Sequence, residues 1–209
     1  MPKIVNKEEK KAKILEASIR VFSKKGLNNT KISDIAEAAA IGKGTIYEYF
    51  KSKDEIFKES FHFHMEKFED SISRRLFRIQ DPLEKLRAYF SAWSELFEGD
   101  HLDYLEIVLE FWAEGVRQRD DTSMIDLNKL YAENRDMLDN LLSNCVSKGE
   151  IKRVDTKLIA SIMLGALDGI LIQWFMDRKA FNMKDATLLF VETMIKGLKM
   201  TGRSVKKGK

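Results

Sequence analysis

Thr30 to Lys53 reads TKISDIAEAAAIGKGTIYEYFKSK, and the spacing of its apolar residues decides the fold. Ile32, Ile35, Ala36 and Ala39 recur at helical intervals, which puts them on the inward face of a short helix over 32–39. Gly42 to Phe50 reads as a second short helix, with Ile46 and Phe50 four apart and turned to the core, and Ile41 pinning the turn between the two. Small side chains at Ala36 and Ala40 let the helices cross closely. The outer face of the second helix is left with Lys43, Gly44, Thr45, Tyr47 and Tyr49.

The flanking sequence completes a three-helix unit. Lys7 to Lys25 carries Ile14, Leu15, Ala17, Ser18, Val21 and Phe22 as a helical stripe, and Gly26 supplies a left-handed stop. Thr30 or Lys31 stands at the start of the next helix. Ser52-Lys53-Asp54-Glu55 has the form of a capping box and opens a long helix to about Arg78. Residues 1–53 hold 12 Lys/Arg against 6 Asp/Glu, whereas the rest of the chain holds 24 against 27. A basic end either faces a polyanion or is a solvated face. A narrow outward helix bearing hydroxyls and an amine fits the first option, because such groups reach base edges and phosphates in the DNA major groove.

Across the 209 residues no strand-like alternation occurs, and the two prolines, Pro2 and Pro82, interrupt no periodic segment, so the fold class is all-α with about nine helices. Asp81-Pro82-Leu83-Glu84 starts a helix to about Glu98, another runs from about His101 to Gln118, Met124 to Lys148 forms a long one ended by Gly149, Asp155 starts one to about Arg178, and Asn182 caps the last. The single cysteine, Cys145, sits in a helical stretch and reads as buried and inert, which fits a reducing, cytoplasmic setting. Ile159 to Phe175 approaches membrane-spanning length, but Asp168 and Gln173 interrupt it, so no membrane partner is expected. His62 and His64 lie two apart and diverge on a helix, so no metal site and no cofactor is expected; three scattered histidines supply no nucleophile–base pair for an enzyme.

Ile35-Ala36-Glu37-Ala38-Ala39, Lys43-Gly44-Thr45-Ile46-Tyr47-x-Tyr49-Phe50 and Ser52-Lys53-Asp54-Glu55-Ile56 together resemble the TetR (tetracycline-repressor-type) family of regulators over about residues 10–57. The resemblance implies a helix-turn-helix DNA-binding domain over 1–53 and a helical ligand-binding and dimerisation domain over 54–209. It implies a homodimeric transcriptional regulator on palindromic double-stranded operator DNA, released when a small apolar or amphipathic effector tilts the fourth helix. The motif does not separate repressor from activator. By the same resemblance Thr45 and Tyr47 sit in the groove, Lys43 near bases or phosphate, Tyr49 against the sugar-phosphate backbone, and Thr30, Lys31 and Lys53 on phosphates. The alternative reading makes Tyr47 and Tyr49 packing aromatics and Thr30 a cap alone. Ala40 stands where the family often has Gly, and Gly42 where it often has Ser.

In the second part, residues 155–178 are apolar on two sides: Ile159, Ile162, Met163, Ala166, Ile170 and Trp174 form one stripe, and Leu164, Leu167, Leu171 and Phe175 another. The last helix has Leu188, Val191, Ile195 and Leu198 on one stripe. One stripe of each helix faces home and the other a partner copy, so Leu164, Leu167, Asp168, Leu171, Phe175, Leu188, Val191 and Ile195 are the expected dimer face. Trp93, Phe97, His101, Phe111, Trp112, Met137, Leu141, Met163 and Trp174 either line an effector pocket or are ordinary core. Asp168 reads as a polar anchor for a ligand or as a cross-dimer hydrogen bond.

Overall fold

The computed structural model describes residues 7–96, 108, 109, 112, 113 and 126–199. Eight helices run through them: α1 (Lys7–Asn29), α2 (Ile32–Ala38), α3 (Lys43–Tyr47), α4 (Lys53–Phe77), α5 (Pro82–Glu95), α6 (Leu127–Ser147), α7 (Thr156–Met176) and α8 (Met183–Leu198). The helix expected over His101 to Gln118 lies almost wholly outside the described residues, as do Phe97, His101 and Phe111. Two compact units make up the chain, Met1–Ser71 with Leu96–Leu127 and Ile72–Glu95 with Asn128–Lys209, and α4 contributes residues to both.

In the first unit, α1 packs on α2 and α2 on α3. Ile14, Phe22, Ile35, Ile46, Phe50, Ile56 and Phe57 are almost fully buried, and the rings of Phe22 and Phe57 meet edge-on with centroids 4.9 Å apart. Gly26 stops the regular path of α1 as expected, with φ 71 and ψ 161. The turn between α2 and α3 departs from expectation. Ala40 is exposed and adopts φ 51, a left-handed conformation; the Ala40 and Ile41 amides donate to Glu37 and Ala36 carbonyls. This is a Schellman close of α2, in which Ala40 serves as the turning residue and not as packing. An L-residue is disfavoured there by roughly 1–2 kcal/mol, which is the physical reason for a glycine at such a position.

Helix starts follow the sequence signals. Ser52 Oγ accepts the Glu55 amide at 3.1 Å, while the Glu55 carboxylate returns to the Lys51 amide at 2.5 Å, one residue earlier than a standard capping box. Asp81 Oδ1 caps Glu84, Asp155 caps Leu158 and Asn182 caps Asp185. Each such cap is worth about 1 kcal/mol.

In the second unit α8 packs against α5 and α7. Phe90 and Phe190 meet edge-on across α5 and α8, and Arg87 holds Glu192 with two guanidinium nitrogens while also reaching Glu84. Leu164, Leu167, Leu171, Val191 and Ile195 are buried within this single chain, each 6% exposed or less. These five pack in the home core, whereas the sequence reading turns them toward a partner copy. The core takes members of both stripes of α7, since Met163 is buried beside Leu164, Leu167 and Leu171, while Ile162 (49% exposed), Leu158 and Met176 face outward, and Leu189 of α8 does likewise at 70%. Gly165 lies along the same outward line and a Cβ there would meet nothing within 4 Å. Leu188 and Phe175 are half-buried. α7 is long and apolar enough to cross a membrane by length and composition, but five of its residues are buried in this core. Cys145 is fully buried, and burial pushes its thiol up to about 11, leaving it protonated and unreactive.

Candidate nucleic-acid interface

Ile46 anchors α3. It is fully buried, which contributes about 2 kcal/mol, and at helical spacing it obliges its neighbours to turn away from the core. Lys43 and Gly44 are exposed and Thr45 is half-buried; Tyr47 is 52% exposed. The Lys43 ammonium stands 6.0 Å from the centroid of the Tyr47 ring one turn later, at the outer limit of a cation–π contact. Tyr49 is half-buried beside Phe50, ring centroids 6.4 Å apart. α3 therefore offers an ammonium, a threonine hydroxyl and a phenol on one free surface. Gly44 carries no side chain there, and the space beside it is open, with no heavy atom within 4 Å of where a Cβ would stand. That combination is able to donate and accept hydrogen bonds.

Two of the expected phosphate contacts are placed otherwise. Thr30 is 2% exposed, and its hydroxyl donates to the Gly26 carbonyl at 2.8 Å, so it closes the end of α1. Lys53 turns back from the first turn of α4 to donate to Leu27 O at 2.6 Å and Asn28 O at 3.2 Å. Sequence reasoning offers Thr30 as a cap but identifies neither its partner nor those of Lys53, because main-chain carbonyls carry no signature of their own. Lys31 remains exposed. Its amide donates to Asp34 Oδ2 at 2.9 Å, and Lys25 pairs with the same oxygen at 3.0 Å. The Lys31 amide, with Lys25 beside it, holds the Asp34 carboxyl below the ordinary range.

The residues expected around an effector lie at different depths. Leu141 and Met163 are buried in the second-unit core; Trp93, Met137 and Trp174 are half-buried. The Trp93 ring lies 6.3 Å from Tyr89, whereas Trp174 and Phe175 stack under the exposed Arg178 guanidinium at 5.4 and 5.7 Å. Of Trp112 only half-burial is described. A polar seam crosses α5, α6 and α7: Tyr89 donates to Asn134 Oδ1 at 2.8 Å and Tyr131 to Asp168 Oδ2 at 2.9 Å. Burial raises the Asp168 carboxyl to about 6, against the lowering effect of the Tyr131 bond. His64 Nδ1 lies 2.8 Å from Ser60 O and His62 is exposed. Among the described residues no group of three His, Cys, Asp or Glu side chains is placed to hold a metal ion.

Comparison with known proteins places this geometry. The profile of bacterial regulatory proteins of the tetR family matches residues 14–60, and that of the YsiA-like protein, C-terminal region, matches 61–197. The fatty acid metabolism regulator protein of Bacillus subtilis is 26% identical over 197 residues, covering 92% of this chain and 97% of that protein. The HTH-type transcriptional regulator AcrR of Shigella flexneri is 26% identical over 196 residues, covering 90% and 88%. Among solved structures, FadR from Bacillus subtilis in complex with stearoyl-CoA superposes with a TM-score of 0.76 at 25% identity, covering 90% of this chain and 98% of that one. Matched without a break over residues 14–197, this chain belongs to the tetR family of bacterial transcriptional regulators.

Proposed function

We propose that the protein is a cytoplasmic, ligand-responsive repressor that binds a palindromic operator as a homodimer. The observation that carries the reading is the outward Lys43–Tyr47 face of α3, held by buried Ile46. Lys43 reaches bases or phosphate, Thr45 and Tyr47 enter the groove, Gly44 allows close backbone approach, and Tyr49 and Lys31 lie along the sugar-phosphate backbone. In a two-fold dimer the two copies of α3 stand about 34–36 Å apart, one turn of DNA.

The second copy docks on the outward line of α7 and α8, where Leu158, Ile162 and Leu189 leave an apolar surface and Gly165 permits close helix approach. The effector is a long-chain acyl thioester or a similar amphiphile. The support is the FadR relative that was solved with stearoyl-CoA and the aromatic and aliphatic side chains Trp93, Met137, Leu141 and Met163 in the second unit. Ligand acts by preferring the arrangement that does not fit the operator. The chain works by binding, with no chemical step.

Footprinting on duplexes recovered by the protein from a randomised library tests this. Protection of one palindrome, reversed by stearoyl-CoA and not by coenzyme A, is the expected result. Uniform weak coverage of all duplexes would reject operator reading, and protection that persists at saturating stearoyl-CoA would reject the acyl effector.

A further inference from the structure

The joint between α1 and α2 carries three consecutive carbonyls, each met by a side-chain donor. Gly26 O takes the Thr30 hydroxyl at 2.8 Å, Leu27 O takes the Lys53 ammonium at 2.6 Å, and Asn28 O takes it at 3.2 Å. Lys53 comes from the first turn of α4, 26 positions after Leu27. Its charge also sits where the partial negative end of α1 favours a cation. On the α2 side, Lys25 and the Lys31 amide both engage Asp34. The joint is thus tied to α4 by one residue and to α2 by another, while buried Ala39 and Ile46 anchor the end of α2 and the body of α3 in the core.

We propose that Lys53 is a positioning residue for operator reading. Its ammonium clamps the end of α1 to the start of α4, and so sets the angle at which α2 and α3 are presented, instead of neutralising a phosphate. The proposal rests on the reading of α3 as the DNA-reading helix. Bonds from an ammonium to two carbonyls are charge-assisted, and a phosphate contact through the same nitrogen would have to displace them. Base contacts depend on hydrogen-bond geometry and fail with small misplacement, whereas phosphate contacts to generic duplex depend chiefly on charge. Removing a clamp and removing a phosphate contact therefore leave different signatures.

Lys53→Met keeps the aliphatic stem and deletes the charge. Fluorescence anisotropy would follow it on a duplex selected by the wild-type chain and on a scrambled duplex of the same composition, at several salt concentrations. The clamp predicts about a tenfold or greater loss on the selected duplex, little change on the scrambled one, and unchanged salt slopes on both; Lys53→Arg, whose fork can reach both carbonyls, recovers most of the loss. A slope shallower by about 0.9 on both duplexes, with their affinity ratio unchanged, overturns the proposal in favour of a phosphate contact. Wild-type affinities on both duplexes overturn it too.

A second measurement needs no change in the fold. In ¹⁵N-lysine spectra of the full chain, the Lys53 ammonium should be protected from solvent exchange in the free protein and should stay unshifted on adding DNA. Protection that arises only with DNA rejects the clamp. If instead the wild-type chain selects no duplex at all, the reading of α3 fails, and the free-protein spectrum still decides the clamp.

Discussion

α3 and α7 differ in how much of their surface is apolar, and in what a sequence can therefore say about them. α3 has one apolar anchor, Ile46, among residues that bear charge, hydroxyl or no side chain. Once Ile46 is inward, Lys43, Thr45 and Tyr47 have only one direction left. α7 is apolar around most of its circumference, so two stripes compete for the core. Leu164, Leu167 and Leu171 take the inside, while Leu158 and Ile162 are left out. Periodicity reports that a helix has two faces to cover, but which face is home depends on the shape offered by its neighbour α8.

The pair Leu171 and Leu189 sharpens this contrast most. Leu171→Glu places an unpartnered carboxylate in the second-unit core, where Leu171 is 4% exposed, and should cost about 3–5 kcal/mol. Thermal melting should show loss of folding and not a folded monomer. Leu189→Glu, on the outward face, should leave the melt of the dilute protein nearly unchanged and shift sedimentation toward monomer. A folded monomer from the first variant, or a persistent dimer from the second, breaks the division into home and partner faces.

Asp168 probes the seam between the two faces. Its carboxyl is held near 6 by burial, above the unfolded value, so the folded state binds the proton more tightly. The stability this group supplies is full below about pH 4 and is lost as pH rises through about 6. Asp168→Asn, which still accepts the Tyr131 hydroxyl, should match the wild type at pH 4 and melt higher at pH 7.5. Parallel pH profiles for the two proteins would contradict the burial of that carboxyl.

The smallest effect is expected in the first unit. Ala40→Gly relieves the left-handed backbone at φ 51, partly offset by the greater freedom of glycine when unfolded, and should stabilise by about 1 kcal/mol. Chemical denaturation of the full chain measures it; a destabilised variant would mean that the Ala40 methyl packs after all.

Legibility follows chemistry. Helix starts at Asp81, Asp155 and Asn182 are readable because a cap is a local bond between side chain and nearby amide, and the stop at Gly26 because only glycine takes that conformation cheaply. The outward residues of α3 are readable from a single buried anchor. Thr30 and Lys53 are not, because their partners are carbonyls of residues whose side chains say nothing about it. The inward face of α7, which draws on both stripes, is unreadable for the opposite reason, an excess of apolar residues with equal claims on the core. Ala40 reads wrongly as a packing residue because its size is legible and its backbone angle is not.

The central claim is that the face of α3 reads sequence. Titration of Tyr47→Ala against a duplex selected by the wild-type chain, beside a scrambled one, tests it most directly. A loss of about 10- to 100-fold on the selected duplex, corresponding to about 1–3 kcal/mol for one base contact, with the scrambled affinity and the oligomeric state unchanged, is the predicted result. Equal binding of both proteins to both duplexes would contradict it.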